Sequence, residues 1–157
     1  MSESKIDALL KEKGIVLPEP SVPGGNFVPY VVSGSLVFIA GQAPRRDGKL
    51  EYLGKVGKDL SVEEGQKAAR LCMLNILCHL KTACGGNLDR VARAVRLAGL
   101  VNCGPDFTEH PKVTNGASDL LVELFGEKGK HARISTGASS LPSNMAVEIE
   151  AVFEISR

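Results

Sequence analysis

Ser61 and Glu64 stand three residues apart at the head of a long run rich in apolar residues, and this segment constrains the fold more than any other. At that spacing the serine hydroxyl and the glutamate carboxylate each satisfy a backbone N–H left orphaned at a helix start, so a helix is predicted to open at Ser61. It runs to about Ala83 and stops at Cys84-Gly85-Gly86. Its apolar positions, including Ala68, Ala69, Cys72, Met73, Ile76, Leu77 and Leu80, cover more than one face. A helix with so wide an apolar surface has to be covered on two sides, which predicts that it lies sandwiched within a layered fold.

The remaining segments supply candidate layers. Ser4–Lys13 carries Ile6, Leu9 and Leu10 and closes on Gly14, as a short amphipathic helix would. Val16–Asn26 holds Pro18, Pro20, Pro23, Gly24 and Gly25 and is expected to be an extended connector. Tyr30–Ala40, broken by Ser33-Gly34-Ser35, reads as a hairpin or bent strand with apolar residues on both faces. Arg45–Gly48 is expected as a polar turn, Lys49–Val56 as a short strand, Arg90–Val101 as a strand bearing Arg93, and Asp106–Pro111 as a loop. Asn115–Phe125 places Leu120, Leu121, Leu124 and Phe125 at helical spacing before Gly126. Two strands close the chain, Ala132–Ala138 and Ala146–Ile155, the second with Val147, Ile149, Ala151 and Phe153 in clean alternation. The order predicts an α+β fold with helices on one face of a mixed or antiparallel sheet.

At 157 residues the chain is expected to form one domain, 1–157, with residues 1–14 as an added helix and a core that needs no disulfide or metal staple. Hydrophobic residues at 43% and charged residues at 24% fit a soluble globular protein. A net charge of +1 argues against a dedicated duplex-nucleic-acid binder, and aromatics at 4% without Trp argue against base-stacking platforms. The longest nearly apolar runs, Tyr30–Gly41 and Leu71–Leu80, are too short for a bilayer. Glu3, Asp7 and Glu12 lie where a signal peptide would be apolar, so a cytoplasmic location is expected. Cys72, Cys78 and Cys84 recur every six residues, about 600° of helical rotation, which sends successive sulfurs to different sides of the axis. With Cys103 beyond them and no CxxC, HxH or HExxH spacing, neither a metal site nor another cofactor is expected, and the cysteines are read as small buried side chains. His110 and His131 are read as solvated loop residues, and Arg90, Arg93 and Arg96 as a solvated basic cluster.

Gly41-Gln42-Ala43-Pro44 after an apolar strand, the helix opening SVEEGQKAAR, and Arg133 eight residues before Leu141-Pro142 with VEIEA following at Val147–Ala151 together resemble the Rid/YjgF family, also called the endoribonuclease L-PSP family. The likeness covers roughly Gly25 to the C-terminus. It implies a chorismate-mutase-like α+β fold, assembled as a homotrimer with clefts at the subunit interfaces. It also implies hydrolysis of reactive enamine and imine intermediates to a 2-keto acid and ammonia. Other members carry ribonuclease or translation-inhibitor assignments. The family's carboxylate-holding arginine falls on Arg133, whose planar fork suits two parallel bonds to a carboxylate, and the glutamate associated with the catalytic water falls on Glu148. Substrate-binding positions fall on Phe27 (a tyrosine in the family), Gly41, Asn115 and Ser135 (a cysteine in the family), while Ala40 stands for a serine.

A hairpin of the last two strands, centred between Ser140 and Leu141, would set Arg133 directly opposite Glu148, with Ser135 on the same face and Glu150 beside Glu148. As a plain cross-strand ion pair the two would need no ligand. Three functions stay open: an imine or enamine hydrolase with Arg133 and Glu148 as its catalytic pair, a carboxylate-metabolite binder without chemistry, and a ribonuclease. The last would need a His pair, a metal or a basic groove, none of which is readable. The partners expected are therefore a small carboxylate-bearing metabolite and further copies of this chain, with no membrane and no nucleic acid.

Overall fold

The capped helix forms as its spacing dictates. In the computed structural model, which describes residues 3–157, α2 spans Val62–Ala83; Ser61 Oγ accepts from the Glu64 N–H at 3.1 Å, and Glu64 Oε1 accepts from the Ser61 N–H at 3.2 Å. Every residue from Leu71 to Leu80 is buried. Two layers cover them, because α2 packs on the sheet through one side and on other helices through the other.

The short helix α1 (Lys5–Glu12) is tied down by polar contacts: Asp89 accepts from the Lys5 and Ile6 N–H groups at 2.8 and 3.0 Å, and Lys81 Nζ reaches Asp7 at 2.8 Å. An extended connector leads to β1 (Tyr30–Ser33) and β2 (Leu36–Gln42), a hairpin turning at the expected break. Arg45–Gly48 is more than a turn: β3 (Arg45–Arg46) pairs with β4 (Lys49–Leu50), which is all that forms of the strand expected over Lys49–Val56. Asn75 explains the tight fold-back, since its buried amide donates to the Ala43 and Arg45 carbonyls. After α2 come β5 (Val91–Asn102), α3 (His110–Phe125), β6 (Ala132–Ala138) and β7 (Val147–Ile155). Helix α3 begins within the expected loop, at His110, with Pro111 in its first turn where no amide donor is needed.

The main sheet runs β1-β2-β7-β5-β6, with β6 parallel to β5 and the other pairs antiparallel. This corrects the expected closing hairpin: β6 and β7 are not neighbours, and β5 lies between them. Their composition gives the physical reason. β7 alternates buried apolar residues along its whole length and takes the centre, while β6, ARISTGA, is largely exposed and tolerates the edge. The β5–α3–β6 crossover that a parallel pair requires places β6 on the far side of β5.

The helix layer covers one face, through Val37, Ile39, Leu97, Val101, Val147, Ile149, Ala151 and Phe153. The other face is open and carries Val31, Phe38 and Ile134, each about half exposed. Helices α2 and α3 cross so closely that a Cβ on Gly116 would stand 2.0 Å from the Gln66 carbonyl oxygen. Gly116→Ala is expected to cost about 3 kcal/mol in urea denaturation, since backbone on one side has to move. Gly24→Ala, where a Cβ meets nothing within 4 Å, should leave the midpoint unchanged.

Candidate functional site

The residues singled out in the sequence fall into two groups. The first lies at the β6 edge, under α3. Arg133 pairs with Leu97 and Ser135 with Gly99, so both point to the helix side of the sheet. Arg133 Nη1 donates to Asn115 Oδ1 at 2.8 Å and to Ser118 Oγ at 3.1 Å. Behind Ser118 stands His131, whose Nδ1 lies 2.6 Å from the Gly129 carbonyl and whose Nε2 lies 2.9 Å from Ser118 Oγ. The carbonyl can only accept, so Nδ1 carries the proton and Nε2 takes the serine hydroxyl's, leaving Ser118 oxygen free to accept from Arg133. His131, expected as a solvated loop residue, instead braces the guanidinium through Ser118. Thr114 Oγ1 donates to the His110 carbonyl at 3.1 Å, so the Ser135 hydroxyl, 2.5 Å away, is the donor to Thr114.

Thr114, Asn115 and Ser118 thus form one polar face of α3 aimed at Arg133 and Ser135. Thr114 and Ser118 were missed in the sequence; the signal was small polar residues at helical spacing, i, i+1 and i+4, on an otherwise leucine-lined helix. Arg133 itself is exposed, and no carboxylate among the described residues lies within ion-pair distance of it. Its remaining N–H groups are available to an anion.

The second group surrounds β2 and β7. Glu148 is half-buried on the open face of β7, and no hydrogen bond or ion pair engages its carboxylate among the described residues. Burial, and secondarily the charge of Glu150, pushes its carboxyl above the ordinary value. It lies against Gly41, which sits in the bulge between Ile39 and Gln42, and a Cβ on Gly41 would come 2.5 Å from Glu148 Oε1. Gly41 and the exposed Phe27 also line a cleft of about 460 Å³ between the connector and the β2–β3 turn, with Gln42 and Asn75 in its wall.

Arg133 and Glu148 therefore do not meet as the hairpin predicted. Arg133 is aligned with Leu97 and Leu97 with Ala151, and Ala151 is three residues from Glu148. An odd separation along a strand reverses the face, so the guanidinium and the carboxylate look out from opposite sides of the sheet. Gly41 and Arg133 are also three strand spacings apart, about 14 Å. Within one chain the structure joins Arg133, Asn115 and Ser135, separately joins Gly41 and Glu148, and leaves the two groups apart.

The basic cluster is tied in part to the chain's own acceptors. Arg90 donates to the Ser156 and Cys84 carbonyls, Arg93 to the Lys130 carbonyl, and Arg96 pairs with Glu150 at 3.4 Å. All four cysteines are buried, unpaired thiols. Among the described residues, no three His, Cys, Asp or Glu side chains converge as metal ligands, and no helix is long and apolar enough to cross a membrane.

This architecture recurs in known proteins. The protein TCP17 of Trypanosoma cruzi is 42% identical over 156 residues, covering 99% of this chain and 97% of its own. Among solved structures, the Agrobacterium tumefaciens protein Atu1372, described as of unknown function, superposes with a TM-score of 0.90 at 43% identity, over 96% of this chain and 92% of that one. A Shewanella oneidensis protein described as a "putative endoribonuclease" superposes with a TM-score of 0.92 at 39% identity, over 98% and 100% of the two chains. The match to a single family model extends over residues 7–154, taking in the Gly41 bulge, the Arg133 edge and Glu148 alike, and the chain belongs to that family, YjgF/chorismate mutase-like, "putative endoribonuclease".

Proposed function

We propose that this protein hydrolyses reactive imine and enamine intermediates to a 2-keto acid and ammonia, at a site assembled between copies of a homotrimer. The observation that carries the reading is the pair of unengaged charges on opposite sheet faces: a braced guanidinium with spare donors, and a half-buried carboxylate without a partner. Two such groups act on one small molecule only if different copies supply them. The open face with Val31, Phe38 and Ile134 offers the apolar surface for that assembly, so a solution mass three times the 16.6 kDa chain is expected.

In this reading Arg133 of one copy holds the substrate carboxylate in a two-bond fork. Glu148 of the next copy first delivers its proton to the enamine β-carbon, giving the iminium ion. Its carboxylate then takes a proton from water as the oxygen attacks the iminium carbon, returns it to the nitrogen, and takes the carbinol O–H proton as the carbonyl forms and ammonia leaves, which restores the acid. Raising the carboxyl above its ordinary value makes the carboxylate a stronger base toward the water proton. A second reading, carboxylate binding without chemistry, draws on Phe27 and Ala40, neither of which carries a hydroxyl, and on Ser135, whose hydroxyl already serves Thr114.

Mixed assembly tests the shared site. Arg133→Ala and Glu148→Gln chains, each inactive alone in ammonia release from enamines generated in situ, should regain about a quarter of wild-type turnover when co-assembled, the fraction of interfaces that unite both intact residues. No recovery on mixing would place the two residues in unrelated roles. Failure of the wild type to release ammonia while binding 2-keto acids would favour the binder.

A further inference from the structure

Beyond Thr114, adjoining the first group, one cavity brings a nucleophile and a base into contact. Cys103 Sγ, just past the end of β5, lies 3.4 Å from Nε2 of His110, in the first turn of α3. Both line an open cavity of about 520 Å³, together with Lys55, Phe107, Gly137 and Ser139. We propose that this cavity is a covalent-addition site for small α,β-unsaturated carboxylates, with Cys103 as nucleophile, His110 as its base and Lys55 facing the substrate carboxylate.

The surroundings position each part. The His110 ring is held by an edge contact with Phe107, centroids 5.1 Å apart at 80°, which keeps Nε2 on the sulfur. Gly137 keeps the pair reachable: a Cβ there would stand 2.6 Å from His110 Nε2 and 2.8 Å from Cys103 Sγ. Lys55 Nζ donates to Asn102 Oδ1 at 3.1 Å and to the Ser139 carbonyl, leaving one ammonium N–H for an anion. Its charge beside the pair also opposes a metal cation. Burial raises the Cys103 thiol, while a backbone hydrogen bond at Ala138 and the Lys55 charge act the other way. A thiol resting neutral needs an adjacent base, and His110 is that base.

In the addition, His110 Nε2 takes the thiol proton as Sγ bonds to the β-carbon. The π pair of the C=C bond moves to the α-carbon, with the carboxylate charge opposite Lys55. His110 then returns the proton to the α-carbon, leaving a neutral imidazole and a thioether. No oxidant or second reactant enters, and each chain takes one adduct.

Cys72 and Cys84, buried and without a bonded imidazole, are internal references. The native protein is treated with acrylate or acrylamide, and adducts are assigned to each cysteine by peptide mass spectrometry, with urea-unfolded chain as control. Cys103 should label faster than Cys72 and Cys84, and its acrylate-to-acrylamide rate ratio should be higher folded than unfolded. His110→Gln should slow Cys103 about a hundredfold without changing the unfolded rates. Gly137→Ala should slow it with both reacting residues intact, and Lys55→Met should bring the ratio to its unfolded value. The proposal fails if Cys103 labels no faster than Cys72, or if natively folded His110→Gln and Gly137→Ala both label as wild type does. An unchanged ratio in the folded wild type would remove the carboxylate specificity.

Discussion

Replacing Glu148 with glutamine should lower imine hydrolysis about a hundredfold while leaving 2-keto-acid binding unchanged, because the amide keeps the shape against Gly41 but cannot carry a proton to and from water. Steady-state ammonia release and calorimetric binding of pyruvate separate the two effects. The same variant tests the electrostatics. Burial and the Glu150 charge raise the Glu148 carboxyl above its ordinary value, so the folded chain holds that proton more tightly than the unfolded one. The resulting stabilisation is complete below the ordinary carboxyl range and is lost as pH rises through the folded value. At neutral pH an ionised Glu148 is then a destabilising group. Glu148→Gln should melt higher than wild type at pH 7, and the difference should vanish in acid. A variant that loses activity together with stability would instead make Glu148 a structural residue.

Arg133→Lys should weaken binding of pyruvate or 2-ketobutyrate by about tenfold to a hundredfold, the loss of one charge-assisted contact worth roughly 1.5–3 kcal/mol. An ammonium is a point donor and cannot both satisfy Asn115 and Ser118 and present a planar fork to a carboxylate. Arg133 is exposed and lies on the edge strand, so melting should hardly change. Unchanged affinity in the lysine chain would reduce Arg133 to a brace for α3. A Ser118→Ala chain should show a smaller loss, because it removes one support of the guanidinium and leaves the Asn115 contact.

Local chemistry wrote much of this molecule into the sequence. The Ser61–Glu64 box, the wide apolar surface of α2, the break at Ser33-Gly34-Ser35 and the alternation of Val147–Phe153 each act within a few residues, and each appears where its spacing places it. The same holds for the pairing of residue types at the Arg133 edge: Ser135 shares its face because the two are two residues apart. Which strands become neighbours is another matter. Alternation specifies the face a side chain looks toward, whereas the ladder bonds between strands join backbone groups that every residue possesses. A β6–β7 hairpin and a sheet with β5 between β6 and β7 therefore satisfy the same alternation, and only packing of the whole chain separates them. Closing β5, α3 and β6 into a parallel unit sent β6 to the edge, put the better-buried β7 at the centre, and turned Arg133 and Glu148 to opposite faces. The contact of Cys103 with His110 was likewise invisible in the sequence, since seven residues separate them along a chain that passes from strand end to helix start. Residue identity determined what chemistry this chain carries; tertiary packing decided which groups meet, because it alone sets the distances between segments remote in sequence.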